Sequence, residues 1–230
     1  VNIIAKKGTR GLIMHLRDYS TSLPKPSPRK WIELNDDGEI ADSQIETFNF
    51  HDNNSKSFTI MSYNTLCQHY ATQKMYKYTP SWVLNWDRRR EKLTEDIMQY
   101  KPNVICLQEV ETRTYEEHWV PLMLSHGYRG LFHVKTRAKT MSDKNAKKVD
   151  GCAIFYQEDV FKMVDKKDLE YGSYFMNQRA SKDVFNRFQT KDNVANLVVL
   201  QHISSGNKVI VANTHLHWDP KFNDVKTFQV

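Results

Sequence analysis

Alternation of apolar and polar positions first becomes regular at Phe58-Thr59-Ile60-Met61-Ser62-Tyr63-Asn64, which reads as a strand with Asn64 at its carboxyl end. A helix signal follows. Thr79 suits the N-cap and Pro80 the first helical position, and Trp86, Leu93, Ile97 and Tyr100 recur at spacings of seven, four and three before Pro102 ends the run. Val104-Ile105-Cys106-Leu107 is apolar throughout, so it predicts a strand buried on both faces, with Glu109 emerging where that strand ends. Tyr115, Trp119 and Leu122 predict a second helix, Gly151 to Tyr156 another strand, and Asn193 to Ile203 a longer one that turns at Ser205-Gly206-Asn207-Lys208. The returning strand, Val209 to His217, places Asn213, His215 and His217 on one face and Ile210, Ala212 and Leu216 on the other. Strand, helix and strand followed by antiparallel pairing predict α/β layers built on two stacked sheets.

Residues 1–57 differ in texture. The apolar patch Gly11 to Leu16 runs into the proline-broken Leu23-Pro24-Lys25-Pro26-Ser27-Pro28 and the polar Asn35-Asp36-Asp37-Gly38, which predicts a lead-in with one short strand at Trp31 to Leu34, preceding a domain over 58–230. In 230 residues, 40% apolar and 26% charged positions make an ordinary globular composition, which excludes disordered, collagen-like and low-complexity scaffolds. No apolar stretch reaches the roughly 18 to 20 residues of a membrane span, so a soluble protein without a membrane partner is expected. Cys67, Cys106 and Cys152 lie far apart and are odd in number, which fits neither a zinc site nor a disulfide framework and suits a reducing compartment. The net charge of +6 favours a polyanionic partner, yet the basic cluster Lys135, Arg137, Lys139, Lys144, Lys147 and Lys148 is equally consistent with a solvated loop.

Asn64, Glu109 and His215 each close an apolar strand, where side chains leave the core while keeping a rigid support. Taken singly, each has an ordinary role open to it: Glu109 as a surface or capping carboxylate, Asn64 as a turn residue, His215 as a bonded histidine near the core. Together they suit hydrolysis of a phosphodiester by a metal-activated water. A hard ion such as Mg²⁺ binds through one or two carboxylates plus substrate phosphate, which makes Glu109 a ligand candidate. Asn64 can hydrogen-bond a nucleophile or a neighbouring carboxylate, and His215 can steady negative charge developing on phosphorus.

Four segments resemble successive motifs of the endonuclease/exonuclease/phosphatase superfamily: Ser62 to Leu66, Cys106-Leu107-Gln108-Glu109-Val110, Lys191 to Ala195, and Asn213-Thr214-His215-Leu216-His217-Trp218-Asp219-Pro220. Val149 to Phe155, Lys135 to Thr140 and the lead-in Thr9 to Ile13 are similar to its poly(A) deadenylase branch, of the carbon catabolite repressor type. The resemblance implies a two-sheet α/β sandwich of the DNase I-like type. It also implies use of Mg²⁺, as one or two ions, to remove adenylates from the 3′ end of RNA as 5′-AMP. By the same resemblance Glu109 is a metal ligand, Asn64 its polar neighbour and His215 a transition-state stabiliser. Lys135 lies near the substrate phosphate, His217 and Pro220 border an adenine pocket, and Asn193, with Asp192, supports substrate binding. The implied partners are the poly(A) tail of messenger RNA and the subunits of a deadenylase complex, in the cytoplasm and also the nucleus.

The branch pattern includes a later Gly-Asp-Phe-Asn-type turn and a Ser-Asp-His, and neither follows Pro220 here. The expectation is therefore an incomplete domain, the amino-terminal half, inactive alone and with the inner face of its remaining sheet exposed. Two other readings stand beside it. One is a phosphoesterase of the same superfamily acting on an inositol phosphate, a dinucleotide phosphate or abasic DNA. The other is a non-catalytic RNA-binding or assembly module.

Overall fold

A computed structural model describes residues 58–176, 186–188 and 190–229. The expected lead-in over 1–57, with its short strand at Trp31 to Leu34, lies outside the described residues. Among the described residues, seven strands form two sheets. The first has the order β1 (Ile60–Asn64), β2 (Val104–Glu111), β4 (Asp150–Gln157), β3 (Tyr128–Val134), and the second β5 (Phe161–Glu170), β6 (Val194–His202), β7 (Lys208–Thr214). Among the described residues only β1 and β2 pair in parallel, joined through helix α1 (Trp86–Met98), and the other pairings there are antiparallel.

The unbroken apolar run of β2 reflects burial on both sides. Ile105 and Leu107, with Ala153 and Phe155 of β4, pack against Ile97 of α1 and against Trp119 and Met123 of a second helical stretch. Val104 and Cys106, with Ile154 and Tyr156, face Phe161, Val198, Leu200 and Val211 of the other sheet. Each Val, Leu, Ile, Phe or Met side chain among these, removed from water, contributes roughly 1.5–3 kcal/mol. The inner faces of the two sheets thus cover one another, which corrects the expectation of an exposed inner face.

Several boundaries differ from the sequence reading. Helix α1 starts at Trp86, not Pro80, because Asn85 provides the cap: its side-chain oxygen accepts from the Asp87 N–H at 2.9 Å, while residues 79–84 are spent in turns. Trp86, Leu93 and Ile97 do form its core stripe, and Tyr100 falls beyond the helix end. The second helical stretch runs through Thr112–Thr114, Tyr115–Trp119 and Val120–Ser125, and its middle turn is π-wound. Pro121 has no N–H to give to an α ladder, and Val120 N–H bonds Tyr115 O five residues back. Strand β7 stops at Thr214, so His215 and His217 lie in the segment beyond it. Its inward face is Val209, Val211 and Asn213, while Ile210 and Ala212 point to solvent.

The largest departure is in β2. The strand continues past Glu109 to Glu111, and one extra residue enters between the pairs Leu107–Ala153 and Val110–Gly151. This bulge holds Glu109 at a φ of +55° and puts two residues of β2, Gln108 and Glu109, opposite one of β4. Asn213, buried on the facing sheet, anchors the bulge from across the core: its Nδ2 donates to the Leu107 and Ala153 carbonyls at 2.9 Å, and its Oδ1 accepts from Gln108 Nε2 at 2.8 Å. Asn213→Leu keeps the volume and strands those groups, so the intact protein should lose about 2–4 kcal/mol in a urea titration.

Candidate active site

The bulge and the end of β1 are neighbours, since Asn64 pairs with Gln108 in the parallel register. Asn64 Nδ2 donates to Glu109 Oε1 at 2.8 Å, and Asn64 Oδ1 accepts from Leu66 N–H at 2.8 Å. The other carboxylate oxygen, Glu109 Oε2, accepts from the Cys67 N–H at 3.1 Å. Leu66 is also left-handed, with φ +51°. Two non-glycine residues therefore hold a backbone conformation costing about 1–3 kcal/mol each, on facing sides of one carboxylate.

The loop after β1 is tied down from three directions. Thr65 Oγ1 donates to the carbonyls of Gln108 and Glu109, both at 3.1 Å. Arg89 of α1 donates to the Thr65 carbonyl at 2.7 Å and to the Leu66 carbonyl. His69 N–H donates to Glu111 Oε1 at 2.8 Å, and burial raises the Glu111 pKa against that bond. Nothing in the run Arg88-Arg89-Arg90 distinguishes the middle arginine in sequence; only the helix phase aims it at this loop.

His215 arrives from the second sheet. Its Nδ1 lies 3.9 Å from Glu109 Oε1, too far for a hydrogen bond, and has no hydrogen-bond partner among the described residues. Burial lowers its pKa below the ordinary imidazole value, while Glu109 pulls the other way. Asn193 is buried and holds the loop carrying His215: its Nδ2 donates to the His215 carbonyl at 2.8 Å and its Oδ1 accepts from Gln229 Nε2 at 3.1 Å. Gln229 in turn accepts from the His217 N–H at 2.9 Å. Pro220 and Trp218 are exposed on the same segment.

Lys135 is inside rather than on the surface. Its Nζ lies 2.7 Å from Asp150 Oδ2, off the ideal hydrogen-bond direction, and Arg137 meets Asp150 Oδ1 at 2.6 Å and Asp192 at 2.5 Å. Burial works against the Lys135 ammonium, but Asp150 raises its pKa overall. With Lys139 on Glu170 and Lys147 within 3.7 Å of Glu116, much of the basic cluster is spent internally, which counts against a simple phosphate-binding loop. Asp150, 1% exposed, is the carboxylate that the sequence reading left without a role; its sign was the glycine after it. A Cβ on Gly151 would lie 2.2 Å from the His133 carbonyl, so only glycine lets β3 and β4 close beside Asp150.

The three cysteines are free and buried, an environment that favours the thiol over the nucleophilic thiolate. Burial pushes Cys67 and Cys152 up to about 12 and Cys106 up to about 11, and Asp150, Glu111 and Glu109 add to the effect at Cys67. Among the described residues no group of three or more His, Cys, Asp or Glu side chains is arranged to hold a metal, so a zinc-type cage is not present there. The donors do fit a hard cation that takes one carboxylate, Glu109, and completes its shell with water and phosphate oxygens. Asn64, Glu109 and His215 come together as expected.

A family model described as endonuclease/exonuclease/phosphatase matches residues 61–212, a span that runs from the second residue of β1 through the β2 bulge into β7. The chain belongs to the endonuclease/exonuclease/phosphatase family. Among relatives, the CCR4-Not complex 3′-5′-exoribonuclease subunit Ccr4 of Debaryomyces hansenii is 53% identical over 237 residues, covering 100% of this chain and 28% of that protein. The subunit of the same name from Saccharomyces cerevisiae is 50% identical over 238 residues, covering 100% of this chain and 28% of its own length. The chain thus spans somewhat over a quarter of these curated relatives. Among solved structures, ANGEL2, a 2′,3′-cyclic phosphatase, matches with TM-score 0.61 and 28% identity over 75% of this chain and 44% of its own. The human Nocturnin catalytic domain matches with TM-score 0.53 and 26% identity over 74% of this chain and 54% of its own. The two-sheet arrangement is thus the family fold, and the Asn64–Glu109 pair lies within the matched span.

Asp150→Asn would leave Lys135 and Arg137 facing a neutral amide. An expected loss of about 3 kcal/mol or more in denaturant unfolding of the intact protein, against little change for Lys147→Ala at the exposed pair, checks that ordering.

Proposed function

We propose that the chain forms part of the catalytic domain of a 3′-to-5′ exoribonuclease that shortens the poly(A) tail of messenger RNA and releases 5′-AMP, acting with the other subunits of a deadenylase complex. The observation that carries the reading is the bonded Asn64–Glu109 pair with the His215 ring beside it, drawn from two sheets. Identity of 50% or more to exoribonuclease subunits supports the substrate class.

Asn64 fixes one Glu109 oxygen and the Cys67 N–H fixes the other, so the carboxylate keeps a single orientation with lone pairs to spare. A divalent cation, Mg²⁺ in our reading, would be held by Glu109 and would supply charge neutralisation at the phosphoryl oxygens. His215 faces the position where negative charge develops, and Asn193 keeps its backbone in place. Lys135 keeps its place beside the substrate phosphate in this reading, but its pairing with Asp150 leaves little net charge there. His217 and Pro220 border the base. Buried thiols with raised pKa values suit a reducing compartment, cytoplasmic and also nuclear.

The test uses the intact protein with 5′-labelled oligo(A), oligo(U) and an RNA ending in a 2′,3′-cyclic phosphate. Shortening of oligo(A) one nucleotide at a time with AMP as product is expected, with a fall of at least 100-fold for Glu109→Gln and a weaker dependence on Mg²⁺ concentration. Opening of the cyclic phosphate without oligo(A) shortening would contradict the deadenylase reading.

A further inference from the structure

The loop between β1 and α1 has a composition that the catalytic pair does not explain. From Leu66 to Trp86 there is no acidic residue, while Tyr70, Tyr76, Tyr78, Trp82 and Trp86 interleave with Lys74 and Lys77. Tyr78 is 84% exposed, the highest value among the large apolar and aromatic side chains of the described residues, and Met75 beside it is 67% exposed. Such a surface is costly to keep in water without a partner.

The loop is held in shape. Gln73 Nε2 reaches the carbonyls of Tyr76, Lys77 and Thr79 at 3.3, 3.3 and 2.9 Å, and turns close through Thr72 O, Tyr76 O and Pro80 O. The Tyr76 and Tyr78 rings meet edge to face at 6.3 Å, and the Arg88 guanidinium lies 4.6 Å over the Trp82 ring. Its base belongs to the catalytic pair: Cys67 N–H holds Glu109, and the Tyr70 hydroxyl accepts from Arg137 at 3.2 Å. Tyr78 lies eight steps along the chain from Tyr70, so the tip stays within about 28 Å of that base even if the chain were straight.

We propose that the 70–82 loop is a stacking platform for single-stranded RNA leading into the Asn64–Glu109 pair, with the Tyr78 ring against a base and Lys74 and Lys77 near phosphates. Aromatic faces interleaved with cations, and free of acids, are what a single strand needs for binding that tolerates any base. The inference rests on the exoribonuclease reading above and extends it to nucleotides distant from the bond being cut.

Two measurements on the intact protein separate the two. In fluorescence anisotropy with a 20-nucleotide oligo(A), on a Glu109→Gln background that does not cut, Tyr78→Ala should weaken binding on the order of ten-fold and Tyr78→Phe should not. Lys74→Ala with Lys77→Ala should lower the slope of log affinity against log salt by roughly 1.4. In steady-state shortening, Tyr78→Ala should raise KM for the long substrate while leaving kcat, and KM for a dinucleotide, unchanged. Unaltered RNA affinity in Tyr78→Ala would overturn the platform, whether or not the parent shortens oligo(A), and would leave this surface to a protein partner. Failure of the parent to shorten oligo(A) while the Tyr78 effect on binding persists would overturn the exoribonuclease reading alone.

Discussion

One extra residue in β2 sets the position of Glu109, and with it the arrangement of the candidate site. Without it, the alternation of a strand buried on both faces would send Glu109 into one of two apolar layers, among Ile105 and Leu107 or among Val104 and Cys106. The bulge interrupts that alternation for a single residue, holds Glu109 at positive φ, and resumes with Val110 in the core. A carboxylate is thus placed at the rim between two sheets without a charge entering either layer. The cost is local backbone strain, and the surroundings offset it with hydrogen bonds from Thr65, Cys67 and Asn213.

The same bonds couple the sheets. Asn213 sits two residues before His215, so the residue that anchors the bulge also fixes where the imidazole emerges. Arg89 does the equivalent for the opposite wall by gripping the Thr65 and Leu66 carbonyls from α1. The charged groups behind this rim are spent on one another: Lys135 and Arg137 on Asp150, and Arg137 again on Asp192. A modestly basic sequence therefore does not become a broadly basic surface at that segment, and the acid-free loop over 66–86 carries more of the usable positive character.

Much of this architecture could be read from the letters. The four-residue apolar run of β2, the Trp86–Leu93–Ile97 stripe and the Gly206 turn all express local periodicity or backbone need, and each falls where it was expected. The bulge could not be seen, because an extra residue in one strand is defined only by the register of its partner, here Gly151 opposite Val110. The start of α1 was misplaced for a related reason. Thr79-Pro80 and Asn85 are both good caps in isolation, and the structure uses Asn85 because Gln73 and the turns at Tyr76 and Pro80 already hold the residues before it. Asn193, placed with the substrate residues by resemblance, is buried in the structure, where it accepts from Gln229, 36 residues away, and donates to the His215 carbonyl. Side chains whose partners are distant in sequence were the ones that composition and spacing could not assign.

The geometry of Glu109 is the most direct point of attack on the account. Crystals of the intact protein soaked with Mn²⁺ should show Glu109 at positive φ, one carboxylate oxygen within hydrogen-bond reach of the Asn64 amide, and an anomalous peak on the carboxylate. An extended Glu109 in regular pairing with β4, its carboxylate more than about 6 Å from Asn64 and without metal, would contradict the claim that the bulge builds the site.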